Sequence, residues 1–181
     1  MAKGRNLGWV WVLVAIFVIV AGGITWSKTA HGFSARAKPT WIESWLAGVA
    51  RNWALPAGEK QLRNPLPPTA ANLAAGRQHF AAHCAICHNN NGDGLTDMGK
   101  NFYPKPPDLR GLTTQGKSDG ALFYSIRNGI RMSAMPAWPD DPDTDIWQLV
   151  QLIRHLPKQS PEELREMQRY NPHSIYPEPL M

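Results

Sequence analysis

Both cysteines of this 181-residue chain fall within five residues, Cys84-Ala85-Ile86-Cys87-His88. No third thiol remains, so a disulfide framework and a cysteine-rich zinc site are excluded. C-x-x-C-H is the attachment signature for c-type haem. Two thiols three residues apart can form thioethers with both vinyl groups of one porphyrin, and the adjoining imidazole then falls against the iron. One requirement is left open, a ligand for the other face. The competing readings are a thioredoxin-like redox pair, which needs a βαβ setting, and half of a metal site, which needs a second ligand pair at finger-like spacing. No strand pattern surrounds the motif and no second pair follows it.

A soft sulfur ligand that suits low-spin iron is available downstream, in Asn128-Gly129-Ile130-Arg131-Met132-Ser133-Ala134-Met135-Pro136-Ala137-Trp138. Met135 is the better candidate. Pro136 fixes the backbone just after it and biases Met135 towards an extended conformation, which holds a sulfur towards one spot. Met132 lies close to an expected helix end and is expected to pack. Both methionines also admit a reading as gap-filling core residues.

With these segments the chain resembles the class I c-type cytochromes. The likeness rests on Cys84–His88 behind a helix, on the loop through Met135 to Trp138, on the helix Asp145-Ile146-Trp147-Gln148-Leu149-Val150, and on Tyr103-Pro104-Lys105-Pro106-Pro107. It covers residues 69 to 157. The resemblance implies an all-α cytochrome c fold around one haem c attached through Cys84 and Cys87. It also implies His88 as proximal and Met135 as distal iron ligand, and a backbone carbonyl near Pro106 and Pro107 that orients His88. A ligating imidazole normally donates its other nitrogen to such an acceptor. Asn89 stands where many relatives have glycine, and asparagine tolerates positive φ better than most residues. Leu152 occupies a place where an aromatic is common.

The amino-terminal stretch obeys a different logic. Leu7 to Ile24 is almost wholly apolar, follows Lys3 and Arg5, and has Trp9 and Trp11 at one end and Trp26 at the other. Such flanks suit a membrane-spanning helix. The alternative is a cleaved signal peptide with Ala21-Gly22-Gly23 as its small-residue site. Lys28, Arg36 and Lys38 beyond the span weaken the charge bias that would orient it. The resemblance resolves the orientation, because bacteria attach this family's cofactor outside the cytoplasm. The expected location is therefore the inner membrane, with the haem domain in the periplasm.

Thr40 to Ala54 reads as an amphipathic helix opened by a Thr40/Glu43 capping box and stopped by Pro56. At 100° per residue, Trp41, Ile42, Trp45, Leu46, Val49 and Trp53 share one arc, opposite Glu43, Ser44 and Arg51. That arc fits either a membrane interface or a protein surface. Residues 1–65 hold eight Lys/Arg against two Asp/Glu, whereas residues 66–181 hold eleven against twelve. The net +5 thus belongs to the leader and neck, and a nucleic-acid partner is not expected.

After the proline-rich Pro65–Pro68, helices are expected from Thr69 to His83, Ser118 to Asn128 and Asp143 to Leu156, with a short one opened by Ser160-Pro161-Glu162-Glu163. Gly76 and Phe80 share a face on the first, and a glycine there lets the Asp143–Leu156 helix approach closely. Asn89 to Gly94 reads as turns. A calcium loop there lacks the later acidic ligand of an EF-hand. The expected organisation is an anchor (1–28), a juxtamembrane helix and connector (29–68), a cytochrome domain (69–160) and a carboxy-terminal helix and tail (161–181). His79, His83, His155 and His173 are expected to be solvated or packed, and Trp138, Phe102, Tyr103 and Tyr124 are candidate pocket residues. A haem held by His88 and Met135 has no open coordination site, so the expectation is a membrane-tethered electron carrier, or the subunit through which electrons enter a respiratory enzyme, not itself an enzyme. Its partners would be the membrane and redox proteins such as a reductase, oxidase or dehydrogenase. The other reading is a peroxide-reducing or gas-sensing protein whose distal methionine dissociates.

Overall fold

In the hydrocarbon of a bilayer no water pairs with backbone polar groups, so an unbroken apolar run that enters it satisfies them within the segment, as a helix. In the computed structural model, which describes residues 5–32 and 34–171, α1 spans Arg5–His31. Its stretch Gly8–Thr29, 22 residues, is about 33 Å long at 1.5 Å per residue, enough for a hydrocarbon core of about 30 Å. The helix therefore runs beyond the Ile24 limit expected from the apolar run alone. No proline interrupts Thr25–His31, and the Thr25 and Thr29 hydroxyls donate to the carbonyls of Ala21 (2.8 Å) and Thr25 (3.0 Å). Gly32 stops it with φ +66°, its N–H donating to Lys28 O at 2.7 Å. By length and composition α1 is able to cross a membrane. The unit Met1–Ala37 that contains it is compact separately from Lys38–Met181.

The second unit is helical, with no strand among the described residues. It begins with α2 (Trp41–Ala54), where Thr40 accepts from Glu43 N and Glu43 caps Thr40 in return, so the capping box is formed as expected. Two short helices are absent from the sequence reading: α6 (Leu112–Gln115) and α3 (Ala57–Gln61), the latter packing on α7 (Asp119–Asn128). The fit depends on Gly120, where a Cβ would meet Glu59 O at 1.9 Å. Pro65–Pro68 lies against α8 (Asp143–His155), since Gln151 Nε2 donates to Leu66 O at 2.7 Å.

Helix α4 (Ala70–His79), capped by Thr69, crosses α8 at Gly76. A Cβ at that position would lie 2.6 Å from Gln148 O and 3.4 Å from the Leu152 side chain, so glycine is what lets the two backbones meet. Leu152, in the place where an aromatic is common, is fully buried. The core gathers Phe80, Leu122, Phe123, Ile126, Ile146, Trp147, Leu149, Val150 and Ile153, with Phe123 stacked on Trp147 at 4.2 Å. Finally α9 (Pro161–Gln168) opens on a second capping box, Ser160 and Glu163. It is tied to α4 by Arg77, which lies 2.9 Å from Glu163 and 3.0 Å from Glu166, and it buries Met167.

Candidate cofactor site

The helix carrying the two cysteines does not end at His83. After His79 it widens into one π-helical turn, Phe80–Cys84, and continues as α5 (Ala85–His88). A single π turn adds a residue to the helical register and is frequent where a helix serves a site. Phe80 and Ala81 of this turn are buried in the core, while Cys84, Cys87 and His88 are partly exposed. Asn89 stops the helix with φ +62°, the positive angle anticipated for an asparagine in a place commonly held by glycine. The turns that follow are tied by side chains: Asn89 Nδ2 donates to Asp93 Oδ1 (3.0 Å) and Asn91 Nδ2 to Asp93 Oδ2 (2.8 Å).

Burial sets the chemistry of the motif. It pushes the Cys84 thiol up to about 12, helped by the Asp141 and Cys87 charges, and raises Cys87 as well. Reactive redox pairs depend on a lowered thiol pKa, so these protonated thiols do not suit a thioredoxin-like couple. Burial also lowers His88 to about 4, leaving the neutral imidazole that a metal requires. Its Nδ1 is buried without a hydrogen-bond partner. This corrects the expectation that a carbonyl near Pro106 or Pro107 orients the ring. Pro106 O lies close to Gly94, where a Cβ would come within 2.7 Å of it, and the turn at Gly94 is closed by its N–H donating to His88 O at 2.9 Å.

The segment from Gly129 to Asp143 approaches the motif from α7. Gly129 turns the chain with φ +66°, and a Cβ there would clash with Pro136 C and Ala137 N, both at 2.7 Å. Ile130 N donates to Met135 O (3.2 Å), Trp138 N to Arg127 O (3.1 Å), and Met135 N to Ser133 Oγ (3.2 Å). Arg127 holds the far end, donating to Pro139 O at 2.9 Å and Asp141 O at 2.8 Å and pairing with Asp143. Its guanidinium also lies 5.5 Å from the centre of the Phe123 ring. Met135 and Trp138 pack on the same buried cluster as Cys84. Trp138 meets His83 at 5.7 Å between ring centres. Met132 differs from expectation: it sits at φ +59°, 90% exposed, because the loop turns outward there instead of packing.

The other candidates divide. Trp138 is part of the apolar wall, Phe102 and Tyr124 are half-buried, and Tyr103 is exposed. His79 Nε2 lies 3.3 Å from Asp141 Oδ2, within ion-pair range but not aligned for a hydrogen bond. His155 pairs with Glu163 at 2.9 Å, and His173 lies outside the described residues. Two contributors escaped the sequence reading. Arg127 looked like an ordinary residue of a helix's last turn, and Met98, whose Sδ lies 3.9 Å from Cys87 Sγ, has no spacing relation to the motif.

These residues fit a haem. The motif carries a half-buried imidazole whose Nδ1 is orphaned, and the side chain of Cys84 packs on the same apolar cluster as Met135 and Trp138. Comparison with known proteins agrees. Residues 71–153 match the family described as "Cytochrome C oxidase, cbb3-type, subunit III". Over 80 residues the chain is 32% identical to "Cbb3-type cytochrome c oxidase subunit FixP" of Azorhizobium caulinodans. That alignment takes in 44% of this chain and 25% of the relative, so the chain spans about a quarter of this relative's length.

Proposed function

Because the chain carries a c-type cytochrome domain behind an apolar amino-terminal helix, we propose that it is a membrane-tethered electron carrier. One haem c is bound through thioethers at Cys84 and Cys87, with His88 and Met135 as the two iron ligands. The observation that carries the reading is that Met135 is partly buried and packs on the same core cluster as Cys84, opposed to the 90% exposure of Met132. A bound haem supplies a one-electron couple whose potential is set by its axial ligands and burial.

The protein's own part is to hold those ligands and exclude water. His88 presents a neutral ring because burial keeps it unprotonated. Met135 sits in a loop whose backbone is closed by Ile130, Ser133 and Arg127, a frame from which its thioether would hold the iron. Trp138 covers the side of the motif facing His83. The haem domain faces the periplasm, and the similarity to an oxidase subunit supports a membrane respiratory complex as donor or acceptor. Tethering keeps the carrier at high effective concentration near such a partner.

Denaturing electrophoresis with haem staining tests the attachment. A coloured band is expected for the wild type and none for Cys84→Ala combined with Cys87→Ala. Stain retained in the double variant would contradict the assignment.

A further inference from the structure

Every apolar residue on the arc of α2 is exposed: Trp41 by 77%, Trp45 by 61%, Trp53 by 87%, with Ile42, Leu46 and Val49 each near half. No residue of the helix is buried. The helix is nonetheless well built. Its capping box is complete, with Thr40 N and Oγ1 each 2.8 Å from Glu43 Oε2, and Lys60 Nζ reaches the Asn52 carbonyl near its end. A preformed helix that shows six large apolar side chains to solvent has a face made for a surface outside the domain.

We propose that this face lies in the headgroup region of an anionic phospholipid bilayer, as a second hold on the membrane after α1. Three features select lipid as the occupant. Only eleven residues separate Thr29, at the end of the span-length stretch, from Trp41; at about 3.5 Å per residue they reach no farther than roughly 40 Å. The large residues are tryptophans alternating with aliphatics, and an indole settles where one side is apolar and the other wet. Between Lys28 and Trp41 the charged residues are Lys28, Arg36 and Lys38, with no carboxylate, and the one carboxylate of α2, Glu43, is turned to its own helix N-terminus. The stretch therefore offers cations to anionic headgroups. The inference rests on the reading of α1 as an anchor.

The test uses the full-length protein in nanodiscs of phosphatidylcholine with phosphatidylglycerol, containing a photoactivatable phosphatidylcholine, with labelled peptides mapped by mass spectrometry. Label is expected in Gly8–Thr29 and, within 41–54, on Trp41, Trp45, Leu46, Val49 and Trp53 but not on Ser44 or Arg51. Label in 41–54 should fall in discs of phosphatidylcholine alone, and most of it should be lost in Trp41→Ser/Trp45→Ser/Trp53→Ser. Those side chains are exposed, so the haem spectrum of that variant should be unchanged. Label in Gly8–Thr29 with none in 41–54 overturns this inference and leaves the anchor standing, as does cross-linking of 41–54 to protein in place of lipid. Absence of label from both segments overturns the anchor reading itself.

Discussion

At the level of single residues, two methionines three positions apart meet opposite fates. Met135 is drawn onto the core cluster and Met132 is left in solvent, because Gly129 and the Ile130–Met135 hydrogen bond fold the loop back while the positive φ at Met132 turns its side chain out. Met135→Ala should abolish the weak far-red absorption band of a sulfur-ligated ferric haem. It should also lower the potential by on the order of 100 mV, since thioether ligation favours ferrous iron. Met132→Ala should keep both. If the wild type lacks the band and binds carbon monoxide readily, the iron is open and the carrier reading gives way to a peroxide or gas chemistry. His88 makes a prediction in pH. Its folded pKa of about 4 lies below the ordinary 6.5, so between those values the unfolded chain binds more protons and stability rises with pH. The contribution is full above about 6.5 and is lost as pH falls to about 4. This pH dependence belongs to the haem-free chain, because a haem held covalently through Cys84 and Cys87 stays beside His88 in the unfolded chain and competes with protons for the ring there too. In the haem-free Cys84→Ala/Cys87→Ala variant, helical content and denaturant midpoints should fall from pH 7 to pH 4, and a profile flat over that range would contradict the desolvation of this ring.

The pairing of α4 with α8 shows what a helix element can and cannot announce. Gly76 advertised a close approach, and the structure places Gln148 O 2.6 Å from where its Cβ would be. Gly76→Ala must push backbone against backbone, with no flexible side chain to yield, and should cost about 1–3 kcal/mol. A thermal melt indistinguishable from wild type would show that the helices are not in contact there. The capping boxes of α2 and α9 were readable for the same local reason, since Thr40 with Glu43 and Ser160 with Glu163 complete their hydrogen bonds within four residues. The π turn at Phe80–Cys84 was not readable. It trades a regular helical bond for the burial of Phe80 and Ala81 in a core that sequence spacing alone does not describe. Nor was α3, whose five residues are too few to hold a helix alone and which depends on its contact with Gly120.

At the scale of the molecule, the 22-residue apolar stretch predicts that the mature protein retains its amino terminus and stays in the membrane fraction. Intact-mass measurement of the purified protein decides it: a mature chain starting beyond Gly23, recovered as soluble material, would leave a cleaved leader as the answer. What the sequence determined by itself were features of short range. These were the cysteine pair with its histidine, the apolar run, the caps, and the helical period of the arc on α2; each depends on residues within a turn or two of one another. Tertiary structure decided which methionine packs on the core, that His88 Nδ1 is left without the expected carbonyl, and that Arg127 holds the loop around Met135. It also decided that the tryptophan arc of α2 remains uncovered by its own domain. These outcomes come from burial and from contacts between residues far apart in the chain, and spacing along a sequence does not encode which distant groups compete for the same space.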